Sequence, residues 1–516
     1  MKSAWRESAA LTAARLGLPL ALLTAALLRF WALGQGVPFS VQVDEPEVML
    51  RAVQMMRTGD LNPHFFDYPA FYIYQQALMA VLRFLAGAMR GEWSSLAQAP
   101  PEAFYVWGRA LTAALGTATV WVLYRAGMRW GRHTALLAAV MFAVMPLHVR
   151  ESHFVLTDVP VTFFVVVTLL LSLRAHERAT AWSFALAGAA AGLAAGTKYN
   201  GGTAILIPII ACLMSPGTRP SRPAAIGAVV ASAGIAFLAV APYSFLDLPT
   251  FLNQFARLSA EYRSARSGGP AWLVYLKHLR IALQWPGSII VSSGLVLGVA
   301  RIIGGPDRLK WTVATLFPIV YYRFISSQSL TFGRYLLPML PFLSLLGAAA
   351  IVYAVDAVRR ANVRQPVLQA VAIVLTVISI APPAYTSISF NANAAKVWTS
   401  EQAYEWIVQT LPRGAKVAVE SRNILLPSSY QAKYYAQLRL RPLEEYVADG
   451  VEYLIASSQC YGPYLDTQAG GPQKYPNEYA DYMRIFSQTD EIVRFTPSAA
   501  HPGPELRVLK IVKVAP

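Results

Sequence analysis

Three carboxylates stand within four residues in Asp44-Glu45-Pro46-Glu47, a few positions past the membrane-length apolar segment Leu16–Leu33. A charged side chain at the centre of a bilayer costs roughly 2.5–3.5 kcal/mol even on lenient scales, so acids beside such a segment need a reason. Held at the water–lipid boundary, a carboxylate can take a proton from a water-soluble hydroxyl while a lipid-borne reactant arrives from the side. Further polar residues interrupt the apolar chain later. They are His148, Arg150, Glu151, His153 and Asp158, then Lys198, Tyr199 and Asn200 in Gly196-Thr-Lys-Tyr-Asn-Gly-Gly202, then Glu261, Arg263 and Arg266, then Arg323 and Arg334. Cations among them could supply fixed positive charge where a leaving phosphate gains charge, an effect strongest in a water-poor site. A base and fixed cations together suit transfer of a group from a phosphate carrier to a hydroxyl.

The elements that must position these groups are membrane helices. The 516 residues are 55% hydrophobic and only 14% charged, with mean hydropathy +0.41, against roughly 25% charged in a typical soluble domain. We expect about eleven spans: Leu16–Leu33, Phe104–Tyr124, Ala135–Leu147, Val159–Leu173, Trp182–Ala195, Thr203–Met214, Ala224–Phe245, Ile281–Ala300, Trp311–Ile325, Tyr335–Val355 and Val367–Ala384. Several are shorter than the roughly 20 residues of a full crossing, so their ends should extend. The N-terminus reads as a retained first helix, because a long polar lead precedes the apolar run and no clear small-x-small cleavage site follows it.

The formal net charge of +16 does not indicate nucleic acid, because the arginines form short clusters between apolar runs rather than a basic stripe. Clusters such as Arg125/Arg129/Arg132, Arg174/Arg178, Arg219/Arg222, Arg301/Arg308/Lys310 and Arg359/Arg360/Arg364 fall on one side if the N-terminus is cytoplasmic. The apolar stretch Ala70–Met89 would reverse this if it crossed, so it reads as an interfacial helix. The outer segments are then 34–101, with the acidic cluster, and 246–280. Residues 390–516 form an extracytoplasmic α/β domain. In it we expect a helix capped by Ser400 and strands at Ala415–Val419, Val451–Ala456 and Leu506–Val514. Localisation is the cell's inner (plasma) membrane, multi-pass. Two cysteines, Cys212 in an apolar run and Cys460 in the tail, give neither a disulfide nor a metal motif.

No Walker loop and no GxGxxG after a strand appears, and nucleotide sugars are not available outside the cell. A lipid-phosphate donor fits. Each candidate also has a plainer reading. Asp44 and Glu45 could mark a helix end in water, and Glu47 reads as a bystander. Asp158 could cap span four, with Pro160 just inside it. Lys198 could snorkel to the interface, Arg334 could anchor there, and Arg109 could be a structural partner. His64 could join Asp44 or Glu45 in a metal site but reads better as a satisfied surface histidine.

Asp44-Glu45 after the first span, Tyr68-Pro69 before the interfacial helix, Asp158, Gly196-Thr197-Lys198 and Arg334-Tyr335-Leu336-Leu337-Pro338 resemble the GT-C glycosyltransferases. The similarity is to the branch of protein O-mannosyltransferases and the lipid A aminoarabinose transferase (glycosyltransferase family 39 and its relatives). It covers roughly the first three quarters of the chain; the tail matches only in general type. It implies a GT-C fold over residues 1–389. It also implies inverting transfer of a sugar from a polyprenyl-phosphate donor to a lipid, glycan or protein acceptor. It makes Asp44 the base, with Glu45 beside it and Asp158 as the second loop's acid. Lys198 and Arg334 become donor phosphate ligands, with Tyr199 and Arg263 as further candidates. Some branches use a divalent metal and others do not, and this sequence has no ligand set that decides between them. A transporter or flippase would place charges at the midplane and show an inverted repeat. An assembly subunit would not need an intact acidic pair.

Overall fold

In hydrocarbon, backbone polar groups must be satisfied within the chain, and long apolar runs can do this only as helices. The structure, a computed structural model, describes residues 2–215, 221–264, 269–421 and 424–511 and is mostly helical. Arg219, Arg266 and the end of the expected strand Leu506–Val514 lie outside the described residues. Two compact units are present. One holds Met1–Leu33 and Val48–Phe390, and the other holds Gly34–Glu47 and Asn391–Pro516.

In the first unit each expected span is largely helical, but lengths differ from the reading of the sequence. Among the described residues, six helices are long and apolar enough to cross a membrane, and four further apolar helices are shorter. The segment expected at Ala135–Leu147 stops at Ala143, and a separate short helix runs from Pro146 to Glu151. The segment expected at Ile281–Ala300 lengthens to Ala271–Gly304, with a non-helical backbone at Gln284 two residues before Pro286. The stretch read as interfacial forms the helix Phe71–Met89.

Two local arrangements explain how this unit closes. Arg29, fully buried in the first helix, donates to the Phe142 and Ala143 carbonyls at 3.3 and 2.8 Å and meets His148 Nδ1 at 3.0 Å. It therefore satisfies carbonyls that the end of the Arg132–Ala143 helix leaves without intrahelical partners. The second arrangement is a small-residue seam. Gly188 and Gly192 lie one turn apart on the helix Ala181–Thr197 and face the helix Arg222–Val240. A Cβ at these positions would sit 2.3 Å from the Val229 carbonyl oxygen and 2.2 Å from that of Ala233. The two backbones can approach this closely only because the side chains are absent.

The second unit contains a five-stranded sheet: β1 (Lys416–Glu420), β2 (Gln431–Tyr435), β3 (Tyr453–Ser457), β4 (Thr489–Phe495) and β5 (Leu506–Ile511). The order is β2-β1-β3-β5-β4, with β1 parallel to β2 and β3, and β5 antiparallel to β3 and β4. Helix Thr399–Thr410 begins before Ser400, with Trp398 at its N-cap, so Ser400 is not the cap. Ala403 and Ile407 of this helix join Val417, Val419 and Ile455 in the core on one face of the sheet.

Replacing Gly192 with valine should force the two helices apart and destabilise the protein by about 1–3 kcal/mol, as overpacking does. Thermal unfolding in detergent checks this, and an unchanged midpoint would contradict the close approach.

Candidate active site

Three of the residues singled out by sequence meet in the first unit. Asp158 opens the helix Asp158–Arg178, whose N-cap is Thr157 rather than Asp158. The carboxylate still lies in the first turn, where the partial positive charge of the helix end favours it. Lys198 sits in extended conformation (φ −155°, ψ 135°) between the helix Ala181–Thr197 and the 3₁₀ turn Tyr199–Ile205. Arg334 stands in the 3₁₀ turn Gly333–Met339, before Leu340–Arg360. Lys198 Nζ donates to Asp158 Oδ1 at 2.6 Å, and Arg334 Nε lies 3.5 Å from Asp158 Oδ2. The side chains of Asp158, Lys198 and Arg334 are only 3%, 7% and 12% exposed. One carboxylate held by two cations makes a desolvated cluster of fixed charges, and such charges act more strongly on a bound ion than they would in water.

Tyrosines hold this cluster in place. The Tyr335 and Tyr262 hydroxyls are 2.7 Å apart, and their rings stack with centroids 6.1 Å apart. Tyr321 donates to the Tyr335 carbonyl at 2.9 Å, and Asn200 Nδ2 donates to the Tyr321 hydroxyl at 2.9 Å. Lys198 Nζ also lies 4.4 Å from the Tyr335 ring centroid, within cation–π range. The Lys198 break, the Arg334 turn and the helix Leu248–Ser264 of the second large loop are thus tied through Tyr321, Tyr335 and Tyr262.

A cavity of about 490 Å³ opens beside the cluster, lined among others by Lys198, Tyr68, Tyr262, Arg263, Phe255 and Phe324. Its size suits a small-molecule headgroup, and its walls combine the cations Lys198 and Arg263 with the Asp67 carboxylate, neutral polar groups and apolar side chains. Arg263 Nε donates to the Ser259 carbonyl at 3.1 Å. The Tyr199 hydroxyl donates to the Phe66 carbonyl at 2.8 Å, so Tyr199 braces the wall with that bond. Residues 62–67 are fastened to the same loop helix and its approach. Asn62 bonds Asp247 at 3.0 Å, the Phe66 N–H donates to Gln254 Oε1 at 2.8 Å, and Asp67 pairs with Arg257 at 2.8 Å.

Asp44 and Glu45 belong to the second unit. The Asp44 N–H donates to Gln42 Oε1 at 2.7 Å, and the buried Glu45 accepts from the Gln42 N–H through Oε2 at 2.8 Å. One Glu45 oxygen therefore braces its own turn. Arg109 is buried and donates to the Leu33 carbonyl at 2.9 Å, which makes that contact structural. His148 meets Arg29, His153 bonds the Val149 and Trp31 carbonyls at 2.8 Å each, and Glu151 pairs with Arg150. His64 pairs with Asp60 at 2.9 Å on the surface. No group of three or more His, Cys, Asp or Glu side chains able to hold a metal occurs among the described residues. Tyr262, Tyr321 and Arg29 went unnoticed in the sequence. A tyrosine among apolar residues carries no distinctive signal, whereas Arg29 could have been flagged as a cation inside a span.

Residues 20–245 match the family described as dolichyl-phosphate-mannose-protein mannosyltransferase. The AglB oligosaccharyltransferase of Archaeoglobus fulgidus, in complex with an inhibitory peptide and a dolichol-phosphate, is similar at TM-score 0.57. Its identity is 13%, over 89% of this chain and 72% of AglB. ArnT of Cupriavidus metallidurans bound to undecaprenyl phosphate gives 0.56 and 14%, over 97% of this chain and 99% of ArnT. The chain has the fold of these two transferases. The apo form of the same ArnT matches at TM-score 0.57 with 15% identity, over 98% of both chains, so the likeness in fold extends through the tail. No curated protein matches the chain.

Removing the Asp158 carboxylate takes a buried partner from both cations, and breaking a buried pair typically costs about 3–5 kcal/mol. Asp158→Ala should therefore lower the unfolding midpoint sharply. Exposed pairs such as Arg441–Glu445 should matter little. Equal midpoint shifts for Asp158→Ala and Glu445→Ala would contradict the assignment.

Proposed function

We infer that this protein is a GT-C membrane glycosyltransferase that takes a sugar from a polyprenyl-phosphate carrier. The observation that carries the reading is the buried Asp158–Lys198–Arg334 cluster, which places two cations beside a cavity bounded by Lys198 and Arg263. Lys198 would face the donor phosphate, with Arg334, Arg263 and Tyr199 as further donor-site residues. Asp158 would hold Lys198 and Arg334 rather than touch the reactants.

The reaction then runs as a single displacement. The Asp44 carboxylate accepts the acceptor's hydroxyl proton, and the freed oxygen attacks the anomeric carbon from the face opposite the phosphate. The bond between that carbon and the phosphate oxygen breaks, and its electron pair stays on the phosphate. The products are a glycoside of inverted configuration, a polyprenyl phosphate carrying one more negative charge, and protonated Asp44. The added charge develops where fixed cations stabilise it without reorganising. Glu45 stands next to the base and braces the turn that carries it. The acceptor hydroxyl belongs to a lipid, a glycan or a protein.

We place the protein in the inner membrane with about eleven crossings, a cytoplasmic N-terminus and an extracytoplasmic C-terminal domain, on the strength of the arginine clusters. A cysteine introduced at exposed Asp490 should react with an impermeant thiol reagent from the outer side of sealed cells. Labelling only after the cells are opened would refute this orientation.

Asp44→Asn should abolish transfer from a polyprenyl-phosphate sugar in native membranes while binding of the carrier persists. Lys198→Ala should instead weaken binding of undecaprenyl phosphate by roughly tenfold or more, the scale of a lost charge-assisted contact. Wild-type turnover by Asp44→Asn would remove the base assignment.

A further inference from the structure

The acidic loop is built into the soluble unit. Residues Gly34–Glu47 follow the helix Lys2–Phe30 and include the first residues of the helix Glu45–Thr58, yet they cluster with Asn391–Pro516. Three contacts attach them. The Leu425 N–H donates to the Phe39 carbonyl at 2.6 Å. The Phe39 ring meets Tyr404 edge-on, with centroids 4.8 Å apart. The Ser40 and Ser400 hydroxyls are 3.3 Å apart. Tyr404 and Leu426, neighbours of these contacts, pack on the sheet core formed by Val417, Val419 and Ile455.

The attachment is passed to Asp44 through a short and well-bonded stretch. The Ser40 N–H closes a turn onto the Gly36 carbonyl at 2.6 Å. Two residues later the Gln42 side chain accepts from the Asp44 N–H, while the Gln42 N–H donates to Glu45. Four residues reach at most about 14 Å when fully extended, and these bonds shorten the tether and fix its direction. Asp44 lies between this attachment and the helix Glu45–Thr58, so whatever holds residues 39 and 40 fixes one side of its position. A misplacement of about 1 Å at a reacting group can lower a rate 100-fold.

We propose that the C-terminal domain is the positioning element for the Asp44 base, acting through Tyr404, Ser400 and the Leu425 N–H on Phe39 and Ser40. This rests on the reading of Asp44 as the base. The domain therefore takes part in the reaction by holding a residue encoded before the second helix, about 350 residues upstream of its own main segment.

The test uses the full chain in native membranes, which carry the acceptor, with a labelled polyprenyl-phosphate sugar as donor. Tyr404→Ala and Phe39→Ala should each lower kcat about 10- to 100-fold while the KM for the donor stays within twofold. Tyr404→Phe, which keeps the ring contact, should restore the wild-type kcat. The double variant Phe39→Ala/Tyr404→Ala should be no slower than either single one, because both remove the same contact. Phe39 lies outside the sheet core, so Phe39→Ala keeps the test open if Tyr404→Ala unfolds the domain. A wild-type kcat for Phe39→Ala alongside an inactive Asp44→Asn would overturn this inference alone. Turnover by Asp44→Asn would overturn the base assignment, and this inference with it.

Discussion

One buried carboxylate shared by two cations sets the terms for the rest of the membrane unit. Asp158 alone would be an uncompensated negative charge, and Lys198 and Arg334 without it would repel each other in a poorly solvated place. Together they hold two cations in place around one carboxylate. The surrounding elements bring the three side chains to one point. A helix start supplies Asp158, an unwound break between apolar helices supplies Lys198, and a 3₁₀ turn supplies Arg334. Irregular backbone of this kind is tolerated at membrane depth only where it is buried in protein or lines a cavity.

The hydroxyl chain Asn200–Tyr321–Tyr335–Tyr262 adds direction to this arrangement. Hydrogen bonds in a low-dielectric setting are stronger than in water and reinforce one another along a chain. Here the connected parts are the two cation-bearing turns and the helix Leu248–Ser264, so the cavity wall and the charge cluster form one body. The close Gly188–Gly192 seam serves the same end from the other side of the Lys198 break, because it fixes the helix that leads into it.

Much of this was legible in the sequence, for reasons that differ by element. Long apolar runs announced the helices, and the isolated Asp158, Lys198 and Arg334 stood out because ionisable residues are rare among such runs. Helix ends were less legible. Hydropathy does not register a backbone break such as the one after Ala143, and the carbonyls there are satisfied by Arg29 from a distant helix. In the tail, β1 and β3 are buried and apolar and were expected. β2 and β4 were missed because sequences such as Gln431–Tyr435 and Thr489–Phe495 show too much polar surface to read as strands. The grouping of residues 34–47 with the tail lies beyond any local pattern, since it depends on contacts between positions almost 400 apart, as in Leu425 and Phe39.

The polar character of those two strands has a consequence for how copies of this protein coexist. β2 and β4 are the borders of the sheet, and they present Lys433, Glu491 and Arg494 to solvent, with a register shift between Glu491 and Val493. An open sheet border is a template for pairing with another chain, and exposed charges and irregular register are the usual protection against it. Molecules confined to a bilayer meet in two dimensions and at fixed tilt, so matching borders would encounter one another far more often than in free solution. Charged, irregular borders let many copies share a crowded membrane without zipping into arrays.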